Sequence, residues 1–415
     1  MSRKALGFCA VSPQRDGYGG TQTNDCKGMT KVVVICNDQE YFLRHRLAVV
    51  EKLAQAGAEV TVVTGGQEKP LRKPEGWTFI HMPIERFSFR PLGDLAIVAR
   101  SARLIAAINP DAVHLITLKP AVFSGFAAIL ARLAGRGPRR ILVTIPGLGR
   151  LMSPGAASSS TASAARSIVR RAIRFLSDRR GVYFTFETSH DRNLWLSDGL
   201  IRNDNSTVIN GAGVNPEIFY PVAGKAARPG IKVLFASRLL KAKGLDAFID
   251  AAKQYANRAD IEFIVAGMIE PHDPDGYYPE ELRKEPAISF LGEVTDMPAL
   301  LREVDLVCLP TRYGEGIPRI LIEAAASGIA CLATDLEGCK EIVEDGVSGT
   351  LVPASEPEAL AKNISNAVDA YLQNPELLRT QGAAGYQRFL SGGFSEEAVV
   401  SHFIALLTGP ETDRI

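Results

Sequence analysis

The chain has 415 residues, 46% of them hydrophobic, and carries a formal net charge of +1. This length exceeds what a single hydrophobic core usually supports, so two domains are expected. No apolar run reaches the roughly 18 residues that a membrane-spanning helix needs, and the N-terminus has no apolar signal core. The sequence therefore predicts a soluble globular protein.

The cysteines indicate a reducing compartment. The six cysteines show no metal-ligand spacing, and Cys36, Cys308 and Cys331 lie in apolar strand-like runs, as reduced core thiols would. Reduced thiols are usual in the cytoplasm. We therefore expect a cytoplasmic protein, with the inner face of the cell membrane as a second location.

The near-neutral total conceals two oppositely charged halves. Residues 29–210 have a net charge of +11, residues 211–415 have −12, and the first 28 residues add +2. A basic half joined to an acidic half suggests different partners for each. The basic half could face an anionic surface or substrate, or the two halves could attract each other across a cleft.

Strand and helix patterns alternate from Met29 onward. The segment before it, Met1–Gly28, is rich in Gly and polar residues without periodicity, and we expect it to be disordered. Continuous apolar strands separated by helices are typical of a parallel sheet covered on both faces. The strands predicted in this first half are Lys31–Cys36, Glu59–Thr64, Thr78–Met82, Ala112–Ile116, Arg140–Ile145 and Val182–Glu187.

The alternation restarts after Asn210–Pro221. The strands predicted here are Ile231–Ser237, Ile261–Ala266, Ile288–Leu291, Leu306–Pro310, Ile329–Ala333 and Thr350–Val352. The last helical patterns, about Pro357–Leu372, Pro375–Phe389 and Ser395–Leu407, have room to pack back across the first domain.

The fold class that follows is α/β, with two Rossmann-like doubly wound domains facing each other across a cleft. We predict an N-terminal extension (1–28), a first domain (29–210), a second domain (211–390) and a C-terminal helix that returns to the first domain (391–415). In open parallel sheets ligands bind outside the carboxyl ends of the strands, so the cleft is the predicted site.

The segment Tyr313–Gly328 predicts part of that site. Pro318 suits the first position of a helix, because its missing N–H would be unpaired there anyway. Glu315 then lies in the loop at the helix mouth, and Glu323 lies about a turn and a half inside. Carboxylates can accept hydrogen bonds from sugar hydroxyls while free backbone N–H groups meet a phosphate. The alternative is a solvated helix face, although Glu323 has apolar neighbours.

A second basic segment, Ser237–Gly244, follows the first strand of the second domain. Arg238 supplies a fork of donors and Lys243 a point charge, and both suit a diphosphate at the end of a strand. Together with the two glutamates, these cations predict a site for a sugar nucleotide, which has hydroxyls at both ends and a diphosphate between them.

These motifs resemble a known family. Arg238, Lys243–Gly244, Glu315–Ala324 and Gly338–Gly349 are similar in type and order to the motifs of the retaining glycosyltransferases of family 4, which have the GT-B fold. In the first domain the chain resembles the branch that builds bacterial surface polysaccharides and lipid-linked oligosaccharides. The segments that carry this second resemblance are Phe42–Leu47, Thr117–Pro120, Gly147–Gly149 and Val208–Asn215.

The resemblance implies roles for the donor-site residues. Arg238 and Lys243 would hold the donor diphosphate and stabilise the leaving group. Glu323 would bind the ribose hydroxyls, and Glu315 would contact the donor sugar with the backbone N–H groups of Gly316 and Ile317 nearby. The family implies no cofactor and no metal, with the nucleotide-diphosphate sugar as co-substrate. The second domain would bind the donor and the first domain the acceptor.

The first domain departs from the family pattern. Many relatives have a Gly-Gly loop after the first strand, where this chain has Asn37–Phe42. Arg46, or its neighbours Arg44 and His45, could replace that phosphate cradle. His114 resembles loosely a histidine near the donor sugar, or is structural. Lys119 could bind an acceptor phosphate, or is simply solvated.

The segment Ala162–Arg180 predicts a basic amphipathic helix. Arg166, Arg170 and Arg174 form one strip at four-residue spacing, opposite apolar side chains. Such a helix can lie on anionic lipid or receive a pyrophosphate-linked acceptor. An ordinary surface helix with solvated arginines is the alternative.

The sequence as a whole predicts a retaining, metal-independent glycosyltransferase. Its donor would be a UDP-hexose or UDP-N-acetylhexosamine, and its acceptor a membrane-associated glycan or a polyprenyl-diphosphate-linked glycan. An anionic membrane surface is a further expected partner, and nucleic acid is not. A sugar-nucleotide epimerase or hydrolase of the same fold, and a non-catalytic nucleotide-sugar-binding subunit, remain alternatives. A dehydrogenase is disfavoured because neither domain's first strand is followed by Gly-x-Gly-x-x-Gly.

Overall fold

The structure is a computed structural model that describes residues 30–84, 91–147, 160–222, 230–270, 273 and 275–409. The predicted extension over residues 1–28 lies outside the described residues. Within the described chain, two separate parallel sheets form, as the alternation of strands and helices predicts.

The first sheet has seven parallel strands in the order β3-β2-β1-β4-β5-β6-β7. Apart from Lys31, every residue of its three central strands is buried, which explains their continuous apolar sequences. The strands are β1 (Lys31–Cys36), β2 (Glu59–Thr64), β3 (Trp77–His81), β4 (Ala112–Ile116), β5 (Arg140–Ile145), β6 (Val182–Phe186) and β7 (Ser206–Val208).

Helices cover both faces of the first sheet, and two apolar clusters lie on its opposite sides. The described helices of this half are α1 (Gln39–His45), α2 (Leu47–Gln55), α3 (Pro91–Ile108), α4 (Gly125–Leu133), α5 (Ser160–Ser177) and α6 (Ser189–Ser197). One turn of π-helix, Pro120–Ser124, leads into α4.

The second sheet has six parallel strands in the order β10-β9-β8-β11-β12-β13. A single large apolar cluster surrounds it. Its strands are β8 (Ile231–Ala236), β9 (Ile261–Ala266), β10 (Ser289–Gly292), β11 (Leu306–Leu309), β12 (Ala330–Thr334) and β13 (Gly349–Val352).

The helices after β8 complete the chain. They are α7 (Leu245–Lys253), α8 (Pro279–Arg283), α9 (Met297–Glu303), α10 (Arg319–Ala326), α11 (Glu337–Lys340), α12 (Pro357–Gln373), α13 (Glu376–Ser391) and α14 (Glu396–Thr408).

The return to the first domain is made by the last helix. Val399, Val400, Phe403 and Leu407 of α14 are buried in the apolar cluster that contains β1, β2 and α2. Full burial of a side chain such as Phe403 contributes about 1.5–3 kcal/mol. The two preceding helices pack elsewhere, α12 on α7 and α13 on α10 and β12. In these positions the two helices cover the second sheet.

Each sheet has a point where the direction of winding reverses. In the first sheet it lies between β1 and β4, and in the second between β8 and β11. Loops that leave such a point in opposite directions open a crevice at the carboxyl ends of the strands. The basic segment follows β8 and the acidic segment follows β11, so both predicted halves of the donor site lie at the second of these points.

Candidate functional site

The loops that follow β8 and β11 touch at a glycine. Gly244 has a φ of 77°, and a Cβ atom there would lie 1.9 Å from the carbonyl oxygen of Pro310. A glycine is required both for this backbone conformation and for this close approach. The contact brings Lys243, from the first loop, beside Glu315, from the second.

Lys243 is a buried cation held by a partly exposed anion. Its Nζ atom contacts Oε1 of Glu315, and the exposed fractions of the two side chains are 5% and 25%. The ring of Tyr313 lies 5.9 Å from the same Nζ atom. A carboxylate and an aromatic face together stabilise a buried ammonium group. The pair therefore places one positive and one negative group at the crevice.

Arg238 lies at the end of β8, on the same edge of the sheet. Its Nη1 atom is 3.5 Å from Oε1 of Glu270, which follows β9, and its side chain is 34% exposed. Ion pairs this exposed contribute about 0–1 kcal/mol, so the guanidinium can change partners at little cost. Arg238 is therefore placed to bind an anion that enters the crevice.

Glu323 is enclosed rather than solvated. It lies in α10, is 8% exposed, and accepts a hydrogen bond of 2.8 Å from Nε of Arg319. Burial raises the pKa of Glu323, while Arg319 lowers it. The alternative of a solvated helix face is wrong. Pro318 precedes α10 as its N-cap in an extended conformation, so the helix begins one residue later than predicted.

Gly316 lies where the two domains meet. A Cβ atom on it would lie 2.1 Å from the carbonyl oxygen of Pro146 and 2.2 Å from Oε2 of Glu187, both in the first domain. The neighbouring Ile317 packs its side chain into the core of the second domain. Their backbone N–H groups stay predicted contacts for the donor.

Arg46 is an interior residue, which contradicts its predicted role in a phosphate cradle. It is 1% exposed, its Nη2 donates to Oε1 of Glu187 at 2.9 Å, and its Nη1 donates to the carbonyl oxygen of His45 at 2.8 Å. Both terminal nitrogens of this guanidinium are therefore engaged within the protein. Arg44 is about half exposed, and its Nη2 atom lies 3.9 Å from Oε1 of Glu293 in the second domain.

His114 is also an interior residue. It is 1% exposed on β4, and its Nε2 is 2.7 Å from Oγ1 of Thr144. Burial, together with the nearby charge of Arg46, lowers the pKa of His114 to about 3. Its ring lies 5.3 Å from that of Phe403 in α14. This placement contradicts a contact with the donor sugar and favours the structural alternative.

Lys119 is not a solvated lysine. It is 6% exposed, and its Nζ lies 3.1 Å from Oδ1 of Asp94, which is also buried. A buried ammonium paired with a buried carboxylate is costly to separate. The structure therefore gives Lys119 a partner within the fold and contradicts its predicted contact with an acceptor phosphate.

Helix α5 is amphipathic, as predicted. Val169, Ala172, Ile173 and Leu176 are buried on one side. On the other side Arg166 and Arg170 are partly buried, and Arg174 is exposed next to the equally exposed Arg171. Arg170 is engaged, because its Nη1 lies 2.5 Å from Oδ2 of Asp198.

Glu187 is a residue of this region that the sequence did not single out. It directly follows β6, it is 7% exposed, and it joins Arg46 to the loop of Gly316. The sequence does contain a signal for this residue, namely a carboxylate at the carboxyl end of a buried strand. The predicted strand Val182–Glu187 includes it as the last residue, so no role in the site is predicted for it.

Two family models match the chain. The one described as glycosyl transferase 4-like covers residues 31–178, and the one described as glycosyl transferases group 1 covers residues 230–370. Together they span more than half of the chain, one in each domain. The chain therefore contains a glycosyl transferase 4-like domain followed by a group 1 glycosyl transferase domain. The resemblance drawn from its motifs is thereby confirmed.

Curated relatives include bacterial glycosyltransferases. The phosphatidyl-myo-inositol mannosyltransferase of Mycobacterium tuberculosis is 32% identical over 162 residues, which are 38% of this chain and 42% of that protein. The chain spans about half or less of the length of these mycobacterial relatives. A Campylobacter jejuni protein is 24% identical over 335 residues, covering 77% of this chain and 84% of its own. It is named N,N'-diacetylbacillosaminyl-diphospho-undecaprenol alpha-1,3-N-acetylgalactosaminyltransferase.

Solved structures show the same architecture. The sucrose-phosphate synthase of Thermosynechococcus elongatus superposes with a TM-score of 0.70 at 20% identity, over 91% of this chain and 98% of its own. The two sheets and the returning helix form the GT-B fold, as predicted.

Two kinds of feature are absent from the part of the chain that the structure describes. None of the helices described is both long and apolar enough to cross a membrane. In the same part of the chain, no group of three or more His, Cys, Asp and Glu side chains is arranged to hold a metal ion.

Proposed function

We propose that this glycosyltransferase moves a sugar from a nucleotide-diphosphate sugar to a membrane-associated glycan or lipid-linked acceptor in bacterial polysaccharide biosynthesis. The donor we propose is a UDP-hexose or UDP-N-acetylhexosamine, and the reaction retains the anomeric configuration. The observation that carries the proposal is the contact between Lys243 and Glu315 at the winding reversal of the second sheet.

The donor would lie along the carboxyl edge of β8 and β11. Arg238 and Lys243 would bind its diphosphate, since a fork of donors and a point charge match the two phosphate groups. Glu323 would accept hydrogen bonds from the ribose hydroxyls. Glu315 would do the same for hydroxyls of the sugar, with the backbone N–H groups of Gly316 and Ile317 beside it.

The chemistry would depend on charge placement. As the bond between the sugar and the diphosphate breaks, negative charge grows on the leaving diphosphate, and the two nearby cations stabilise it. Attack by the acceptor hydroxyl from the same face as the departing diphosphate gives retention. The proposed mechanism uses no metal ion, because Arg238 and Lys243 supply the positive charge.

The acceptor side would lie on the outer surface of α4 and α5. The rings of Phe126 in α4 and Phe175 in α5 stack at 5.1 Å, which holds the helices together. Around this contact, exposed apolar side chains stand among exposed arginines, namely Leu130, Leu133, Ile168, Arg171 and Arg174. Apolar groups among cations suit a surface of anionic lipid. The relative from Campylobacter jejuni, whose name specifies an undecaprenol-linked acceptor, supports this assignment.

The test offers the purified protein a panel of UDP-sugars with and without a polyprenyl-diphosphate-linked sugar. We expect an extended glycolipid that keeps the anomeric configuration of the donor sugar, and an unchanged rate in EDTA. Isomerised or hydrolysed donor, formed equally fast without acceptor, would favour an epimerase or hydrolase. Binding of UDP with no turnover on any acceptor would favour a non-catalytic subunit.

A further inference from the structure

A buried ion pair of the first domain ends at the interface between the domains. Arg46 lies between α1 and α2, Glu187 lies after β6, and Nη2 and Oε1 are 2.9 Å apart. The exposed fractions of the two side chains are 1% and 9%. The pair is therefore shielded from water on nearly all sides.

The second carboxylate oxygen of Glu187 faces the donor-site loop. A methyl group on Gly316 would lie 2.2 Å from Oε2, so the backbone of Gly316 rests directly against this oxygen. The next residue back, Glu315, is close enough that its charge adds to burial in raising the pKa of Glu187, against the lowering effect of Arg46. The carboxylate thus stands between Arg46 and the loop.

Three further residues bring their backbone close to the same loop. A Cβ on Gly147 would lie 3.2 Å from the N atom of Gly316, and a Cβ on Gly338 would lie 2.2 Å from its carbonyl oxygen. The carbonyl oxygen of Pro146 is the third neighbour. First and second domains therefore both shape the segment that contains Glu315.

Arg46 is fixed from behind by the returning helix. Its guanidinium carbon lies 5.0 Å from the ring centroid of Phe403 in α14, which is within the range of a cation–π interaction. Its Nη1 is held by the carbonyl oxygen of His45. A line of contacts thus runs from α14 through Arg46 and Glu187 to Gly316.

We propose that Arg46 and Glu187 are positioning residues that hold the Glu315–Gly316 segment against the first domain, so that the donor-sugar subsite is completed across the domain interface. The inference rests on the proposed function of Glu315. An ion pair of this kind is a poor source of stability, because its desolvation cost offsets its attraction. Because the ion pair lies against a donor-site loop, it can hold that loop in position.

The test compares Glu187→Gln with wild type, with Glu341→Gln as a matched control. Glu341 accepts a hydrogen bond from the backbone of Ser189 across the same interface, 2.6 Å long, but does not touch the donor loop. We expect Glu187→Gln to lower kcat about 10- to 100-fold, as small misplacements of a reacting group do. We expect the dissociation constant for UDP to stay within about threefold, because UDP lacks the sugar that Glu315 contacts.

A double variant separates positioning from stability. Replacing both partners, as in Arg46→Met with Glu187→Met, removes the buried charges together and should restore much of the thermal stability that either single change costs. We expect kcat to stay low in the double variant, because the carboxylate that supports the loop is still missing. Recovery of stability and kcat together would show that the pair only stabilises the fold.

Amide hydrogen exchange tests the inference without any activity. Peptides covering residues 313–318 should exchange faster in Glu187→Gln than in wild type and in Glu341→Gln. Unchanged exchange there would overturn the inference, whatever the activity. If wild type itself transfers no sugar, the proposed function fails, while the exchange result still decides whether Glu187 holds the loop.

Discussion

Several charged or titratable side chains of this protein lie inside the fold rather than on its surface. His114, 1% exposed beneath Phe403, is the clearest case, because burial and the nearby Arg46 lower its pKa from 6.5 to about 3. The unfolded chain therefore binds a proton between these two values that the folded chain does not. The contribution of His114 to the free energy of unfolding is fully present above its unfolded pKa of 6.5 and is lost as the pH falls from 6.5 toward 3.

Replacing His114 with Gln should flatten this acid sensitivity. Between pH 4 and 6 the free energy of unfolding should fall less steeply in His114→Gln, by up to about 1.4 kcal/mol per pH unit, the value for one proton. Chemical unfolding at several pH values measures this slope. A His402→Gln variant, changed at an exposed histidine, serves as the control. Equal slopes in all three proteins would show that His114 is not buried in its neutral form.

The residues of the donor site differ in how well the sequence predicted them. Lys243 and Glu315 lie in local motifs next to strand ends, so their meeting follows from the topology. Arg46 lies between α1 and α2 and Lys119 lies just after β4, but their partners Glu187 and Asp94 are distant in sequence. No local pattern shows that a cation has a buried partner elsewhere, and this is why both were assigned to ligands.

At the scale of elements, α4 and α5 form the surface that the proposal assigns to the membrane. The two exposed arginines, Arg171 and Arg174, and the exposed Leu130, Leu133 and Ile168 belong to it. Each basic residue near an anionic surface contributes about 1 kcal/mol. Binding of this surface to a membrane should therefore depend on charge as well as on apolar contact.

Reversing both exposed arginines should weaken binding to anionic vesicles. We expect Arg171→Glu with Arg174→Glu to reduce partitioning at least about 30-fold, since two attractive charges become repulsive. Sedimentation with vesicles containing phosphatidylglycerol measures it. Arg100→Glu with Arg103→Glu, on the exposed part of α3, makes the same charge change elsewhere in the domain. Equal loss in both variants, or none in the first, would contradict the assignment.

Long apolar elements were predicted well, and short or polar ones were not. The strand runs around β1, β4 and β5 match the structure because each is buried on both faces and continuously apolar. The strand β7 was missed, since its three residues, Ser206–Val208, include two polar ones and lie at an edge. The start of α10 was placed one residue early because proline is common at either position.

At the scale of the whole molecule, the two domains meet through a few specific contacts. Gly147, Glu187 and Gly316 bring the backbones together, and α14 crosses from the second domain to the first. Exposed side-chain pairs cross the interface, such as Arg44 with Glu293 and His190 with Glu337, with 3.9 Å between the nearest nitrogen and oxygen atoms. Pairs of this kind are weak. These pairs therefore contribute little to holding the two domains together.

The central claim is that the crevice beside β8 and β11 binds the donor nucleotide through Glu323. Calorimetric titration with UDP, on wild type, Glu323→Ala and the surface control Glu376→Gln, tests it most directly. A lost hydrogen bond to a charged group costs about 1.5–3 kcal/mol, so UDP should bind about 10- to 150-fold more weakly to Glu323→Ala. Sugar transfer should fall with it, and the control should match wild type. A folded Glu323→Ala protein that binds UDP and transfers sugar as wild type does would contradict the account.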